Sequence, residues 1–179
     1  MNENKIHSIK IVLLGGSLSG KTSISEKIVN DTFSKTIDST NGASYSSKSY
    51  YYLNKNIKLD FWDTGGQLRF RSLTKFFYKD AKICLLVFDL TNLNSLEDVE
   101  YYYQNILLNN EQFHLVILIG NKCDDIINRV ILKNDIEELK KKYNIPYFEI
   151  SCLNGKNIKE LENYICHLSS RFLIQQFPK

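Results

Sequence analysis

The hydrophobic pattern of the chain alternates between short continuous apolar runs and stripes with helical spacing. Three runs, at residues 9–14, 83–88 and 115–119, are too continuous for strands with one face in solvent and predict buried strands of a parallel sheet. Apolar positions three or four residues apart predict helices, with the stripes Leu96, Val99, Tyr103, Ile106; Leu132, Ile136, Leu139, Tyr143; and Ile158, Leu161, Ile165, Leu168, Phe172. A capping-box sequence at residues 95–98 predicts the start of the first of these helices.

The remaining pattern predicts a hairpin and a last strand. Residues 43–53 and 57–62, separated by the polar residues 54–56, indicate two antiparallel strands, and residues 146–150 indicate a final strand. The chain therefore predicts an α/β fold: a six-stranded, mostly parallel sheet with one antiparallel edge strand and helices on both faces, in three layers. We expect a single domain over residues 1–179, with flexible ends at 1–8 and 173–179.

The first buried strand leads into a glycine-rich loop that suits a polyphosphate. Residues 15–22, GGSLSGKT, fit the P-loop template G-x-x-x-x-G-K-[ST], and a helix-compatible segment follows at 22–29. Loop N–H groups and the helix N-terminus bind phosphate oxygens, while Lys21 reaches the β- and γ-phosphates and Thr22 binds Mg²⁺. Chance would place the four fixed positions in about one chain in a hundred of this length. The correct flanks make chance a poor explanation, so the loop predicts nucleoside triphosphate binding.

A second loop, after the strand at 115–119, predicts which base is bound. Residues 121–124, NKCD, place a carboxylate where it can accept hydrogen bonds from N1–H and the 2-amino group of guanine. Adenine lacks that donor pair, so ATP would leave Asp124 without partners. Asn121 and the aliphatic part of Lys122 can bind and cover the ring. A polar turn is the alternative for this short motif alone, but its order and distance from the P-loop favour GTP or GDP.

A third loop lies between these two. Residues 63–67, DTGGQ, end the predicted hairpin, so that Asp63 can hold Mg²⁺ through water. Gly66 can offer its N–H to the γ-phosphate, and Gln67 can orient an attacking water. In isolation the sequence would indicate only a tight turn. As the third member of a consistent series, it predicts the catalytic and switching segment.

The chain resembles a small GTPase of the Ras superfamily, and most of all the Rab branch, as a divergent member. The resemblance covers residues 9 to about 171 and includes five nucleotide motifs in order: 15–22, 33–42, 63–67, 121–124 and 149–153. The Rab features lie at 58–64, 69–71, 77–81 and 86–91. The resemblance implies a P-loop NTPase fold, GTP/GDP and Mg²⁺ as ligands, and slow intrinsic hydrolysis of GTP to GDP and phosphate in a switch that regulates vesicle traffic.

The motifs and the resemblance together define the predicted site. The catalytic group comprises Gln67, Lys21, Thr40 and Gly66. Thr22, Thr40 and Asp63 would hold Mg²⁺, Asp63 through water. The nucleotide-binding residues would be Ser17, Leu18, Ser19, Gly20, Lys21, Thr22, Ser23, Phe33, Thr40, Gly66, Asn121, Lys122, Asp124, Ser151, Cys152 and Leu153.

Several residues depart from the family pattern. In the P-loop, relatives usually carry a smaller residue at the position of Leu18 and an apolar residue at the position of Ser19. Leu18 would either crowd the catalytic water or an incoming activating protein, or point to solvent. Gly65 stands where alanine is usual, which predicts a looser second switch segment. Leu68 stands where a glutamate helps exchange factors bind. These departures keep an impaired hydrolase open.

Further departures concern partners and the base loop. The residues Asn41, Ala43 and Ser44 break the usual effector signature, so we expect different effectors. Leu153 replaces a lysine of the last motif, where backbone amides make the base contact.

Partners and location follow from the resemblance. We expect effectors on the two switch segments (33–42, and from 63 onward) and on three aromatic positions, Tyr45, Trp62 and Phe77. For these aromatics, ordinary sheet packing is an even alternative. Activating and exchange proteins would control the nucleotide state of a cytoplasmic monomer. Family members usually end in prenylated cysteines, and this sequence ends without one, so either such a tail follows Lys179 or the protein has no lipid anchor. We favour the tail, which would bind the cytosolic face of an intracellular membrane.

Composition limits the other classes. The 179 residues are 43% hydrophobic and 24% charged with a net charge of +3, which suits one globular domain. No basic tract indicates nucleic acid. No apolar run approaches the roughly 20 residues that span a bilayer. The four cysteines, at 84, 123, 152 and 166, lack metal-binding spacing and indicate reduced core residues.

Two other functions stay open from sequence. A guanine-nucleotide-binding scaffold with impaired hydrolysis would keep the site without turnover. A P-loop phosphotransferase is weaker, because the chain lacks an arginine-rich lid segment and that function does not explain the motif at 121–124.

Overall fold

The computed structural model describes residues 6–34, 39–67, 76–108 and 113–176. Its sheet has the strand order β2-β3-β1-β4-β5-β6. The strands are β1 (Ile6–Leu14), β2 (Ala43–Tyr52), β3 (Lys55–Thr64), β4 (Ile83–Asp89), β5 (Leu115–Asn121) and β6 (Tyr147–Glu149). β2 pairs antiparallel with β3 at one edge, and the other neighbours are parallel, which confirms the predicted sheet.

Helices cover both faces of this sheet. They are α1 (Lys21–Asn30), α2 (Ser95–Leu108), α3 (Lys133–Tyr143) and α4 (Ile158–Gln176). Alternate residues of β1 point to opposite faces, so Ile11 and Leu13 join a core with α1 and α4, whereas Val12 and Leu14 join a core with α2 and α3. Each helix buries apolar residues against one of these cores, and the predicted three layers are confirmed. Leu132, predicted in the stripe of α3, precedes that helix and is exposed.

The hairpin turn is shorter than the sequence predicts. Lys55 and Asn56, expected in the turn, belong to β3, and the turn consists of Leu53 and Asn54. Both have positive φ, 47° and 59°, as in the two-residue turns whose twist matches paired strands. The dipeptide Leu-Asn is unusual in such a turn. Here the register of β2 against β3 determines that the turn has two residues.

The predicted capping box at the start of α2 is wrong in its contacts. The helix does begin at Ser95, but the Ser95 hydroxyl does not turn toward α2. It donates to the carbonyl oxygens of Asn92 (2.6 Å) and Asp89 (3.1 Å), and it accepts the Asp89 N–H. The side chain therefore ties the end of β4 to α2, because Ser95 is buried beneath that strand end.

The other boundaries differ from the predictions by a few residues. β1 begins at Ile6 and α4 extends to Gln176, so both enter the segments expected to be flexible. Residues 1–5 and 177–179 lie outside the described residues, and the expectation for the ends stays a prediction. In the described part of the chain, no helix combines the length and apolar character needed to cross a bilayer.

Candidate nucleotide-binding site

A cavity of about 410 Å³ opens at the carboxyl ends of the parallel strands. It is lined by Ser17, Leu18, Gly20, Lys21, Thr22, Ser23, Phe33, Ser34, Ser39, Thr40, Thr64, Gly66, Gln67, Asn121, Lys122, Asp124, Asp125, Cys152 and Leu153. Loops that follow β1, β3, β5 and β6 meet here because parallel strands end at one edge of the sheet. All five predicted motifs therefore contribute to a single cavity.

The P-loop lysine lies at the floor of this cavity. The Lys21 ammonium donates to the carbonyl oxygens of Gly15 (2.9 Å) and Gly16 (2.7 Å). Burial lowers the pKa of Lys21 to about 8, while the nearby carboxylates of Asp63 and Asp98 act in the opposite direction. A buried ammonium held by neutral carbonyls is a strong attractor for an anion such as phosphate.

Beside the lysine, three hydroxyls converge on one carboxylate. Asp63 Oδ2 accepts hydrogen bonds from Thr22 (2.6 Å), Thr40 (3.1 Å) and Ser44 (3.5 Å). The other carboxylate oxygen, Oδ1, is buried and has no partner among the described residues. Burial raises the pKa of Asp63, against the hydroxyl donors and Lys21.

This oxygen cluster suits a hard divalent cation. Carboxylate and hydroxyl oxygens are the ligands that Mg²⁺ takes in proteins, and the unpartnered Asp63 Oδ1 leaves a place for a positive charge or its water. Across the described ranges, no group of three or more His, Cys, Asp or Glu residues could form an alternative metal centre. The predicted Mg²⁺ residues Thr22, Thr40 and Asp63 are thus brought together, and their role in metal binding stays a prediction.

The second switch segment lies directly on the P-loop. A Cβ atom at Gly66 would come within 2.5 Å of backbone atoms of Gly16 and Ser17, so only glycine permits this approach. The Gly65 N–H donates to the Gly42 carbonyl at 2.7 Å and joins the two switch segments. Gln67 lines the cavity next to them.

The base end of the cavity is held by the motif at 121–124. The Asn121 amide donates to the Ser19 carbonyl at 3.0 Å and connects this loop to the P-loop. The Lys122 ammonium pairs with Asp89, which leaves the aliphatic part of Lys122 along the cavity wall. Asp124 lines the same wall, as a residue that recognises guanine must.

Two predicted binding residues do not line the cavity with their side chains. The Ser19 hydroxyl is buried and donates to the Gly16 carbonyl at 3.0 Å, so it supports the loop from beneath. The Ser151 hydroxyl is buried and accepts the Asn154 N–H at 3.2 Å. Cys152 and Leu153 do line the cavity, and burial raises the pKa of Cys152 to about 12, so that thiol stays protonated.

Leu18 occupies the mouth of the cavity. Its side chain is 77% exposed, and its φ of 64° lies in the left-handed region that favours glycine. Of the two positions considered for this side chain, the structure shows the one that points to solvent. Leu68, predicted to affect exchange-factor binding, and residues 69–71, predicted as a Rab feature, lie outside the described residues.

Sequence reasoning missed several residues around the cavity. The cavity is also lined by Ser34, Ser39, Thr64 and Asp125. Their positions in or next to predicted motifs could have indicated that they belong to the site. Asp98 was assigned to a capping box, yet its carboxylate packs on the P-loop: a Cβ atom at Gly16 would lie 1.9 Å from Asp98 Oδ2. Nothing in the local sequence of α2 indicates that contact, because it depends on how α2 packs against the sheet.

The fold and the site together define a P-loop nucleotide-binding domain. A family model described as Ras family matches residues 10–169. Among the relatives, the chain is 34% identical over 153 residues to Ras-related protein SEC4 of Candida albicans, covering 86% of this chain and 73% of the relative. It is 38% identical over 167 residues to putative ras-related protein Rab-5B of Dictyostelium discoideum, covering 92% and 77%. It is 37% identical over 161 residues to Ras-related protein Rab-7b of Bos taurus, covering 88% and 80%.

The chain therefore belongs to the Ras family of small GTPases. The predicted resemblance is confirmed, including its Rab character, and the protein is a GTPase that binds guanine nucleotide. Rab-type small GTPases are the class that acts in membrane traffic.

Proposed function

We propose that the protein is a GTP-dependent switch that recruits effectors through its two switch segments. The observation that supports this most is the convergence of both segments on one cluster: Thr40 from the first and Asp63 from the second meet at 3.1 Å beside Thr22 of the P-loop. A ligand that changes this cluster changes both segments together.

The cluster would hold Mg²⁺ through Thr22, Thr40 and Asp63. When bound, the ion neutralises charge on the β- and γ-phosphates. Of these three residues, Thr40 is the one whose contact with Mg²⁺ would change between states. It lies in the first switch segment and can contact the ion only when that segment closes. Loss of the γ-phosphate would then release Thr40 and Gly66 together.

Hydrolysis would be an in-line attack of water on the γ-phosphate. Lys21 and loop N–H groups stabilise the phosphate charge, the Gly66 N–H holds the γ-phosphate, and Gln67 orients the water. Among the described residues that line the cavity, none is an arginine. An activating partner that inserts one would accelerate turnover by roughly 10³–10⁵-fold.

An aromatic surface next to the switch segments would receive effectors. Tyr45 and Trp62 are paired across β2 and β3 with ring centroids 5.6 Å apart, and Phe77 lies 6.5 Å from Trp62. Tyr45 is 50% exposed, and its hydroxyl donates to Asp60. Contiguous, partly exposed aromatic rings of this kind are common at the centres of protein interfaces.

The chain offers a direct test, because Trp62 is its single tryptophan. If the switch segments close on GTP, exchange of GDP for a non-hydrolysable GTP analogue with Mg²⁺ should shift Trp62 fluorescence, and the shift should disappear in Thr40→Ala. Glu137→Gln, on the exposed face of α3, is the control and should keep the shift. Identical spectra with both nucleotides in the natural sequence would contradict the proposed switch.

A scaffold with impaired hydrolysis remains the second candidate, favoured by Leu18 at the mouth of the cavity. A bulky side chain there lies where an activating partner would approach. Single-turnover hydrolysis of bound GTP, compared with Gln67→Leu, separates the two functions. Turnover at least about tenfold faster than in Gln67→Leu supports the switch, whereas equal rates support the scaffold.

The proposal extends to partners and location. Exchange and activating proteins would set the nucleotide state of a monomer in the cytoplasm. Attachment to the cytosolic face of an intracellular membrane would require a prenylated tail. Nucleic acid is not expected as a partner, since the net charge is only +3.

A further inference from the structure

A second cavity, of about 210 Å³, lies at the amino-terminal ends of the parallel strands, opposite the nucleotide cavity. It is lined by Ile9, Lys82, Ile83, His114, Leu115, Leu168, Ser169, Arg171 and Phe172. These residues come from β1, the starts of β4 and β5, and the last turns of α4.

The walls of this cavity divide into an apolar part and a basic part. Ile9, Ile83 and Leu115 of the sheet form apolar surface. Phe172 packs beside the His114 ring with centroids 3.9 Å apart and the rings tilted by 39°. Lys82 and Arg171 add two cations, and no acidic side chain is among the described residues of the lining.

One residue in the wall of this cavity, Ser169, carries a buried hydroxyl. Ser169 is 2% exposed, and its Oγ has no hydrogen bond in the described part of the chain. An unpaired buried hydroxyl costs free energy, so native proteins rarely keep one unless a ligand or water completes it. The adjacent Ser170 is buried as well, but its hydroxyl donates to the His167 carbonyl at 2.8 Å.

We propose that this cavity binds a small amphiphilic anion, a carboxylate or phosphate monoester on a short apolar body. The anionic group would accept a hydrogen bond from Ser169 and lie between Lys82 and Arg171, and the apolar body would fill the space against Ile9, Leu115 and Phe172. The site is independent of the nucleotide-binding proposal, since the two cavities share no lining residue.

The charge around His114 is consistent with this assignment. Burial and the neighbouring Lys82 lower the pKa of His114. Since no acidic side chain is among the described residues of the lining, a bound anion would supply the negative charge there.

The test uses the full chain saturated with GDP and Mg²⁺, observed by ¹H–¹⁵N NMR during titration with hexanoate or hexyl phosphate. We expect saturable shifts at His114, Ser169 and Phe172, with a dissociation constant of about 1 mM or below. Hexanol tests the apolar body alone and should bind at least about tenfold more weakly. Inorganic phosphate tests the anion alone and should give no saturable shift. Whichever anion binds more tightly identifies the headgroup.

Two matched pairs of variants locate the anion. Ser169→Ala should weaken hexanoate binding about tenfold, whereas Ser170→Ala, which removes a satisfied hydroxyl one residue away, should leave it unchanged. Arg171→Gln should weaken binding, and Lys133→Gln, on the exposed start of α3, should not. Retained GDP binding in each variant shows that the domain is folded.

The opposite results overturn the proposal. These are the absence of saturation with both anions, equal binding of hexanoate and hexanol, or equal effects of Ser169→Ala and Ser170→Ala.

Discussion

The two ends of the nucleotide cavity are built differently. At the base end the loops are fixed to the scaffold by complete contacts: Asn121 donates to the Ser19 carbonyl, and Arg129 makes two hydrogen bonds, of 2.6 and 2.9 Å, with Glu149. At the phosphate end, Asp63 has one buried oxygen without a partner among the described residues. A preformed base end would hold the nucleotide in both proposed states, whereas an incomplete phosphate end would let the ligand change the structure around it.

That difference suits a protein whose ligand differs between states at one end only. GTP and GDP share the base, so contacts there contribute equally to both complexes and cannot shift an equilibrium. The two nucleotides differ only in the γ-phosphate. Thr40 and Gly66, the residues proposed to respond, line the cavity at the phosphate end and belong to the switch segments.

The largest effect should come from Asp124, since it determines which base is accepted. Replacing Asp124 by Asn exchanges one of the two carboxylate acceptors for an NH₂ donor, which would oppose one of the two guanine donors and should lower GDP affinity by about 10⁴-fold. Xanthine carries an oxygen in place of the 2-amino group, so xanthosine diphosphate should bind the variant better than GDP does. Competition binding with both nucleotides measures this, and unchanged guanine preference would remove Asp124 from the base site.

Thr22→Asn tests the phosphate end and should have the next largest effect. Loss of the hydroxyl that donates to Asp63 at 2.6 Å should reduce GTP affinity about 100-fold in Mg²⁺ and much less in a chelator. The ratio of affinities with and without Mg²⁺ is the quantity to measure. A loss of the same size in both conditions would show that Thr22 supports the loop and not the cation.

The contrast between the two ends also bears on what a sequence can reveal. The buried strands at 83–88 and 115–119 and the loops at their ends could be predicted, because apolar continuity fixes the strands and parallel strands deliver their loops to one edge. The motifs that meet the nucleotide are local in sequence. Their convergence in one cavity follows from the sheet order, except for the first switch segment, which precedes the antiparallel strand β2.

Contacts between distant elements could not be predicted in this way. Asp98 packs on Gly16 only because α2 lies over the P-loop, and Ser95 turns back to Asp89 because it is buried under the end of β4. The cavity around Ser169 likewise combines three strands with the last turns of α4. Each depends on helix placement over the sheet, which local patterns do not encode.

A smaller effect is expected from the ion pair that stabilises the base end. Glu149→Gln should lower the free energy of unfolding by about 1 kcal/mol at pH 7, an amount reduced by partial exposure. The hydrogen bonds from Arg129 lower the pKa of Glu149 from its usual 4.5, so this stability exists above that pH and is lost as pH falls through the lowered pKa.

Denaturant unfolding of the two proteins between pH 7 and pH 3 tests this sign. The difference between them should shrink toward the acid end. Glu137→Gln removes the exposed pair with Lys140 on α3 and should change stability by less than about 0.5 kcal/mol. A Glu149→Gln effect that grows in acid would contradict the assigned cause.

The smallest effect should come from Leu18→Gly. This substitution tests whether Leu18 matters through its backbone conformation or through its side chain near the catalytic water. Glycine relieves a φ of 64°, but it also frees the unfolded chain, and the two contributions of about 1 kcal/mol oppose each other. Unfolding free energy and intrinsic GTP hydrolysis should therefore stay near those of the natural sequence, because the side chain is 77% exposed. A severalfold faster intrinsic hydrolysis would instead show that the Leu18 side chain obstructs the catalytic water. The phosphate end would then contain a residue that slows hydrolysis in addition to its unpartnered carboxylate oxygen.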